Sequence, residues 1–260
     1  MDDISLYRYF LKDSIRKNID FRSSDQHRGV PVPPAQEPAD PSLPRIDLPD
    51  IRSFSKAVPE MDLKAAIAGR KSRRRFSGAP LTLEELAFLL WATQGRREPA
   101  RPTPHFRTVP SAGARHSFET YLYIQQVETL AMGLYRYLPL SHQLVVQATL
   151  KAGSRKELSD AVFGQHFVAD SSVVFVWTTV AYRMEWRYLQ AAHRVILLDA
   201  GHVCQNLYLA CEAIGAGTCA IAAYDQEAMD ALLQVDGEEQ FTVYLAPVGR
   251  VKSSASGDRG

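Results

Sequence analysis

Five cationic side chains lie within the ten-residue segment GRKSRRRFSG, at positions 69 to 78. On a turn, alternate residues can face one side, so Arg70, Ser72 and Arg74 can converge on one small anion. The planar fork of arginine suits phosphate oxygens, and the serine hydroxyl adds a neutral donor. The segment therefore predicts a site for one phosphate monoester. A solvated loop with charges pointing in different directions and a nucleic-acid or nuclear-import patch are the two alternatives.

The charge balance of the whole chain disfavours nucleic acid as the partner. The 260 residues include 30 Lys and Arg against 29 Asp and Glu, which gives a formal net charge of +1. Affinity for nucleic acid normally comes from a broad positive excess that neutralises many phosphates. The longest apolar run, at positions 171 to 182, is too short to span a bilayer. We expect a cytoplasmic protein without a membrane segment.

The cysteines do not suggest thiol or metal chemistry. The three residues, Cys204, Cys211 and Cys219, fit a reducing compartment. No Cys and His spacing in the chain matches a zinc site. We therefore predict no metal.

Two runs of small residues can accommodate a planar ring. Small side chains let a flat ligand approach the backbone, whose N–H groups can bond its carbonyls. A plain turn is the alternative for the first run, and a simple helix end is the alternative for the second. A phosphate site and two such runs together suit a phosphorylated planar cofactor. The first run is Pro110, Ser111, Ala112, Gly113 and Ala114, and the second consists of Ala220, Ala222 and Ala223.

The chain divides into an N-terminal extension at positions 1 to 57, a compact domain at 58 to 252 and a disordered tail at 253 to 260. A short amphipathic piece at 4 to 19 is followed by seven prolines between positions 31 and 49. Proline at this density prevents helix and interrupts sheet. We expect an extended arm that lies on the body or on a partner chain, with disorder as the alternative.

Within the compact domain, periodicity and capping residues predict an α+β fold. Thr82 and Glu85 form a capping box for a helix that Gly95 ends. Ser154 and Asp225 begin two further helices, the first of which ends at Gly164. Strands are expected at 119–126, 133–139, 142–148, 172–180, 218–224 and 241–250. Helices and strands do not alternate regularly, which argues against a doubly wound sheet.

A helical pattern extends from Glu185 to Ile214. About 30 residues would form a helix about 45 Å long. Its apolar positions do not keep to one stripe, which is typical of a helix that is buried centrally or forms a subunit interface.

Taken together, these segments resemble the FMN-dependent nitroreductase superfamily, and more closely its SagB-type dehydrogenase branch, which includes azoline oxidases. The resemblance covers about residues 61 to 252. It rests on motifs in family order: R-x-S-x-R-x-F from Arg70 to Phe76, P-S-A-G-A-x-H-x-x-E from Pro110 to Glu119, D-x-G-H-x-x-Q-N-L-x-L-A from Asp199 to Ala210, an aromatic residue and Asp ending at Asp225, and P-V-G-R from Pro247 to Arg250.

The resemblance implies a nitroreductase-like fold, with a mostly antiparallel central sheet, flanking helices and a long central helix at a homodimer interface. It also implies FMN at that interface and hydride transfer through flavin N5 in two half-reactions. Its motifs assign the cofactor to Arg70, Ser72, Arg74, Pro110, Ser111, Ala112, Gly113, His116, Ala220, Ile221, Ala222 and Arg250. His116 either contacts the flavin or holds its own turn.

One departure from the branch bears on the reaction. Azoline oxidases of this branch carry a Lys-Tyr pair where this chain has Arg187 and Tyr188. Arginine does not deprotonate in proteins, so Arg187 is not a general base, although it can orient an anionic substrate. Tyr188 is the candidate proton donor or acceptor, and an aromatic residue at the interface is the alternative.

Three functions stay open on the sequence. The first is an FMN-dependent oxidoreductase acting on a peptide azoline, quinone, enone or nitroaromatic. The second is an azoline-to-azole dehydrogenase that works with a peptide-modifying complex. The third is a flavin-binding regulatory protein without turnover. NADH, NADPH and a peptide are all open as the electron donor.

Overall fold

One antiparallel sheet of seven strands runs through the residues that the computed structural model describes, which are 3–54, 58–97, 106–151 and 153–252. The strand order across the sheet is β1-β4-β3-β2-β5-β7-β6. The strands are β1 (Arg45–Asp47), β2 (Phe118–Ile124), β3 (Gly133–Leu138), β4 (Gln143–Thr149), β5 (Val173–Val180), β6 (Ala216–Thr218) and β7 (Gln240–Arg250).

Helices lie on both faces of this sheet. Those of the described residues are α1 (Asp3–Leu11), α2 (Leu63–Gly69), α3 (Leu83–Gln94), α4 (Ser154–Ala161), α5 (Tyr182–Tyr188), α6 (Ala192–Ala213) and α7 (Gln226–Leu233). None of them is long and apolar enough to cross a membrane.

The alternation of side chains along the central strand β5 separates two cores. Val173, Phe175 and Trp177 belong to the core that α3 and α6 cover, whereas Val174 and Val176 belong to the core under α4 and α7. Successive strand residues point to opposite faces, so an unbroken apolar strand must be covered on both sides. The predicted α+β fold with an antiparallel sheet flanked by helices is confirmed.

Capping residues set the ends of two helices as predicted. Thr82 Oγ1 accepts a hydrogen bond from the Glu85 N–H at 3.2 Å, and the Glu85 carboxylate accepts one from the Thr82 N–H at 2.9 Å. Gly95 follows the last residue of α3. Asp225 accepts a bond from the Ala228 N–H at 2.9 Å and begins α7.

The helical pattern from Glu185 to Ile214 is not one helix, so that prediction was wrong. A turn at Leu189–Ala191 separates α5 from α6, and Leu189 has a φ of +48°. A left-handed residue breaks the helical hydrogen bonds although no Gly or Pro marks the position. The short 3₁₀ helix Asp13–Asn18 packs against this turn, and Asp13 pairs with Arg194 at 2.8 Å. Contacts from the distant N-terminal segment therefore accompany the break.

Predictions for two other elements were partly wrong. Helix α4 begins at Ser154 as predicted, but it ends at Ala161 and not at Gly164. Its N-cap is Gly153, with a φ of +99°, and Ser154 Oγ accepts a bond from the Lys151 N–H. The strand expected at 218–224 ends at Thr218 and resumes only as a bridge at Ile221. The Ala220 N–H, which a longer strand would use in its ladder, donates to the Tyr208 hydroxyl at 2.8 Å.

The proline-rich arm lies along the body of the same chain. Three buried arginines hold it through its backbone and one carboxylate. Ala35 O accepts from Arg107 at 2.6 Å, Pro38 O accepts from Arg136 at 2.8 Å, and Glu37 accepts from Arg183 at 2.9 Å. Burial lowers the pKa of Arg107 to about 10. The predicted disordered tail at 253–260 lies outside the described residues.

Candidate functional site

Helix α6 carries two polar side chains that hold the candidate ligand-binding segments. Asp199 lies in its first half and Tyr208 in its second half. Nine residues of α-helix separate them by about 13 Å along the axis. The predicted site residues of one chain therefore form two sets, one around each of these side chains.

Tyr208 joins the cationic segment to the second run of small residues. Its hydroxyl lies 3.0 Å from Ser72 Oγ and accepts a hydrogen bond from the Ala220 N–H. Because that N–H occupies an acceptor position, the tyrosine proton is available to Ser72. The guanidinium carbon of Arg70 lies 5.2 Å from the centre of the tyrosine ring. Arg70, Ser72 and Ala220 thus meet at one side chain.

The cationic segment is an extended chain at the edge of β6. Ser72 bridges Thr218 in parallel register, and the Arg73 N–H donates to Thr218 O at 2.9 Å. The Arg73 side chain lies against Gly217, where a Cβ atom would approach it to 2.6 Å. It points towards Glu212, at 3.8 Å. Arg73 is therefore directed to a different partner from Arg70 and Ser72.

Arg74 lies near the second run of small residues through its contact with Phe167. Its guanidinium carbon lies 6.0 Å from the ring centre of Phe167, in the 3₁₀ turn His166–Val168. Gln165, at the start of that turn, donates to Ala223 O at 3.0 Å. Ala222 and Ala223 are exposed, whereas Ile221 is buried. Arg74 and the second run of small residues thus border one turn.

Arg250 is held by other partners. Its two terminal nitrogens donate to Ile214 O and to the Glu85 carboxylate. Among the described residues, no hydrogen bond or ion pair joins Arg250 to Arg70, Ser72 or Arg74. Its place in a phosphate site stays a prediction.

The first run of small residues is anchored by Asp199. The buried carboxylate accepts a hydrogen bond from the Ala112 N–H at 3.2 Å and another from the Ser111 side chain. Burial raises the pKa of Asp199, and these bonds oppose that shift. Ser111 Oγ also accepts from the His116 N–H at 2.9 Å. Pro110 and Gly113 flank this anchor and are exposed.

Arg187 and Tyr188 lie against Gly113. A Cβ atom at Gly113, whose φ is +59°, would come within 2.7 Å of the Tyr188 hydroxyl and 3.2 Å of Arg187 Nε. Only glycine fits this backbone position without a shift. The structure therefore brings the two predicted catalytic side chains to the first run of small residues, near the C-terminal end of α5.

His116 is buried behind this loop. Burial, followed by the charges of Arg107, Arg115 and Arg183, lowers the pKa of the imidazole to about 3. The ring is therefore neutral near pH 7. The backbone carbonyl of His116 accepts a bond from Arg183, which also pairs with Glu119 at 2.6 Å. His116 belongs to the turn, and any contact with a flavin stays a prediction.

The sequence reasoning missed Tyr208 and the anchoring role of Asp199. Tyr208 continues the apolar pattern of a helix, and nothing in its spacing distinguishes a hydroxyl that binds another segment. Asp199 is a carboxylate at an otherwise apolar helical position, and that was a usable signal. Buried carboxylates normally find donors, so its position indicates a polar partner.

The described residues contain no group of three or more His, Cys, Asp or Glu side chains that could hold a metal ion. All three cysteines are buried. Burial raises the pKa of Cys204 to about 12 and also raises the pKa of Cys211, which keeps both thiols protonated.

The chain belongs to the nitroreductase family, whose sequence model matches residues 67–250. A Methanocaldococcus jannaschii protein assigned to the nitroreductases is 31% identical over 205 residues, which are 79% of this chain and 96% of that protein. Family membership supports an oxidoreductase of the flavin type.

Solved structures share the fold. A nitroreductase-type protein from Ralstonia eutropha is 26% identical, with a TM-score of 0.64 over 83% of this chain and 93% of that one. One from Anabaena variabilis is 23% identical with the same score, and the match covers 82% of this chain but only 42% of that one. A chain of the Escherichia coli microcin synthetase McbBCD complex, solved with truncated pro-MccB17 bound, is 17% identical, with a TM-score of 0.59 over 97% and 98% of the two chains.

Proposed function

We propose that this protein is an FMN-dependent oxidoreductase of the SagB-type branch that passes hydride through flavin N5 in two half-reactions. The observation that carries the proposal is the meeting of Arg70, Ser72 and the Ala220 segment at Tyr208 in a chain of the nitroreductase family. A cation-rich segment and a run of small residues that are distant in sequence adjoin there. A phosphorylated planar cofactor requires both kinds of segment at one site.

The residues present fit FMN. Ser72 and Arg74 are exposed, Arg70 is half-buried, and none of the three belongs to an ion pair within the described part of the chain. Their donors are therefore available to phosphate oxygens. Ala222 is exposed and presents only a methyl group, which leaves room for a ring. The phosphate would be held by Arg70, Ser72 and Arg74, and the ring would lie on the backbone of Ala220 to Ala222.

A homodimer would complete the site. The set around Asp199 and the set around Tyr208 lie about 13 Å apart on α6. Leu197 and Leu198 are exposed on α6, at 49% and 54% of their surface. If two copies pack α6 antiparallel about a two-fold axis, the Gly113 loop of one subunit approaches the Ser72 segment of its partner. The exposed leucines directly before Asp199 on α6 support this arrangement.

Bound FMN supplies the hydride chemistry, and the residues of the chain orient reactants and handle protons. Asp199 fixes the Ser111–Ala112 backbone, so the adjacent N–H groups keep their direction. The Tyr188 hydroxyl beside Gly113 can exchange a proton with a reactant there. Arg187 stays charged and can orient a reactant but cannot remove a proton.

Azoline dehydrogenation within a peptide-modifying complex is the second candidate. Its support is the likeness to a chain of the McbBCD complex, which was solved with a peptide bound and matches over almost the whole length. Arg187 argues against it, because a side chain that does not deprotonate replaces the lysine of the azoline oxidases. A protein confined to this role would ignore small nitroaromatics and quinones and would require a cyclodehydratase partner.

The phosphate assignment is tested by Arg70→Ala combined with Arg74→Ala. Loss of two charge-assisted contacts should reduce bound FMN by at least about tenfold while the fold survives. FMN per chain is measured by absorbance after release, and circular dichroism checks the fold. Arg45→Ala, at an exposed position of β1, is the matched control and should retain FMN. Full flavin content in the double variant would overturn the assignment.

A further inference from the structure

We propose that Arg115 and Arg187 form an anion subsite above Gly113 that binds a carboxylate of the reactant. This inference rests on the proposed oxidoreductase function and names the class of reactant for the same site. Arg115 has no part in the cofactor-binding motifs.

Both guanidinium groups approach one residue. Arg115 Nε donates to Gly113 O at 3.2 Å. Arg187 Nε lies 3.2 Å from the position that a Cβ atom of Gly113 would occupy. The two cations come from different segments, the turn after the first run of small residues and the end of α5. Their meeting at an exposed glycine places two sets of N–H donors at the surface of the loop.

Aromatic rings support each cation from one face. The guanidinium carbon of Arg115 lies 5.3 Å from the ring centre of Trp186, and that of Arg187 lies 5.4 Å from the ring centre of Tyr188. Stacking uses the face of a guanidinium and leaves its in-plane N–H groups available. Trp186 is itself fixed, because its indole N–H donates to Val30 O at 3.0 Å. The cations are therefore pre-positioned rather than free in solvent.

No acidic side chain balances the pair among the residues that the structure describes. Neither arginine takes part in any ion pair there, and the neighbouring carboxylates are otherwise engaged, Glu185 with His193 and Asp199 with the Ala112 N–H. Burial first, and then the charge of Arg187, lower the pKa of Arg115. Two half-buried like charges raise the energy of the ligand-free protein, and an anion bound between them removes that cost.

The ligand chemistry follows from the donors. Paired planar guanidiniums suit two oxygens in one plane, as a carboxylate presents them. A cavity of about 590 Å³ adjoins Gly113 and is bordered by Ala114, Phe106 and Arg97. A carboxylate on an aromatic or unsaturated reactant would bind the arginines while the rest of the molecule enters this cavity. A phosphate of a dinucleotide offers similar oxygens and must be distinguished by experiment.

The test compares 4-nitrobenzoate with 4-nitrobenzamide, which differ mainly in charge, by titration calorimetry on the purified protein without reductant. We expect nitrobenzoate to bind at least about tenfold more tightly, as charge-assisted hydrogen bonds imply. Arg115→Gln and Arg187→Gln should each lose most of that preference, and the Lys variants should recover part of it. Arg45→Gln is the matched control and should keep it.

Equal affinities in the unmodified protein, or a preference that both Gln variants retain, would overturn the subsite. Tighter binding of inorganic phosphate than of nitrobenzoate, lost in the same variants, would overturn the carboxylate assignment in favour of a dinucleotide phosphate. A protein that takes up no FMN but shows the arginine-dependent preference would refute the flavin function and support the subsite. Bound FMN with no such preference would support the flavin function and refute the subsite.

Discussion

At the scale of single residues, a few polar atoms decide which segments of this chain adjoin. The hydroxyl of Tyr208 takes the Ala220 N–H away from the strand ladder and lies beside Ser72. The Asp199 carboxylate binds the Ser111 side chain and the Ala112 N–H and so fixes their loop. Buried polar groups need partners, so each such side chain specifies the position of a loop as well as its own.

Replacing Tyr208 with Phe should weaken FMN binding. The change leaves the Ala220 N–H and Ser72 Oγ without their common partner, and we expect affinity to fall by about tenfold, the usual effect of an unmade bond. The dissociation constant is measured by quenching of flavin fluorescence on titration into flavin-free protein. Tyr135→Phe, on β3, removes one hydroxyl bond to Ala131 O and serves as the control. Equal affinities in the two variants would assign Tyr208 to packing alone.

The types and spacing of residues in the sequence alone predicted several residues of the candidate site. Arg70, Ser72, Gly113 and the Arg187–Tyr188 pair were named from the chain, and the structure brings the first two together at Tyr208 and the other three together at the loop. The stack of Arg115 on Trp186 was not predicted, because stacking leaves no periodic signal in the sequence.

At the scale of elements, two helix caps that depend on neighbouring residues were predicted correctly, whereas two element ends that distant contacts accompany were not. The capping box of α3 and the N-cap of α7 depend on residues within one turn, and both were predicted correctly. The break at Leu189 and the end of β6 at Thr218 are accompanied by contacts from distant segments. A helical period continues through Leu189, so the pattern alone could not show the break.

The arm illustrates the same dependence on distant contacts. Arg183 forms ion pairs with Glu37 of the arm and with the buried Glu119, so one cation is shared between two carboxylates. Removing one partner of a buried pair normally costs several kcal/mol, and the cost is smaller where a second carboxylate remains. The buried arginines are therefore expected to make the arm contribute to the stability of the whole domain.

Glu37→Gln should lower the free energy of unfolding by about 1–2 kcal/mol, because Arg183 loses half of its countercharge but keeps a hydrogen-bond acceptor. Urea unfolding followed by circular dichroism measures the change. Glu60→Gln, at an exposed position, is the control and should leave stability within about 0.5 kcal/mol. An unchanged midpoint in Glu37→Gln would mean that the arm only rests on the body.

At the scale of the whole molecule, the proposed FMN site requires two copies of the chain. Helix α6 exposes Leu197 and Leu198 directly before Asp199, beside one of the two sets of site residues. Exposed apolar side chains at this location are typical of a subunit interface. Cofactor binding and dimerisation should therefore depend on each other.

Leu198→Asp should convert the proposed dimer to monomer and release FMN in parallel, because a charge placed in an apolar interface is desolvated without a partner. Sedimentation velocity reports the mass, and absorbance reports the flavin. Met132→Asp, which places the same charge at an exposed apolar position before β3, should change neither. A monomer that keeps its full flavin content would separate the site from the interface.

The most direct test of the central claim is the visible absorption spectrum of the purified protein, followed by release and identification of the chromophore. The account predicts a flavin spectrum and FMN at about one per chain, held through Arg70 and Ser72. A colourless protein that also fails to take up added FMN would contradict it, and the anion bound by the cationic segment would have to be identified again.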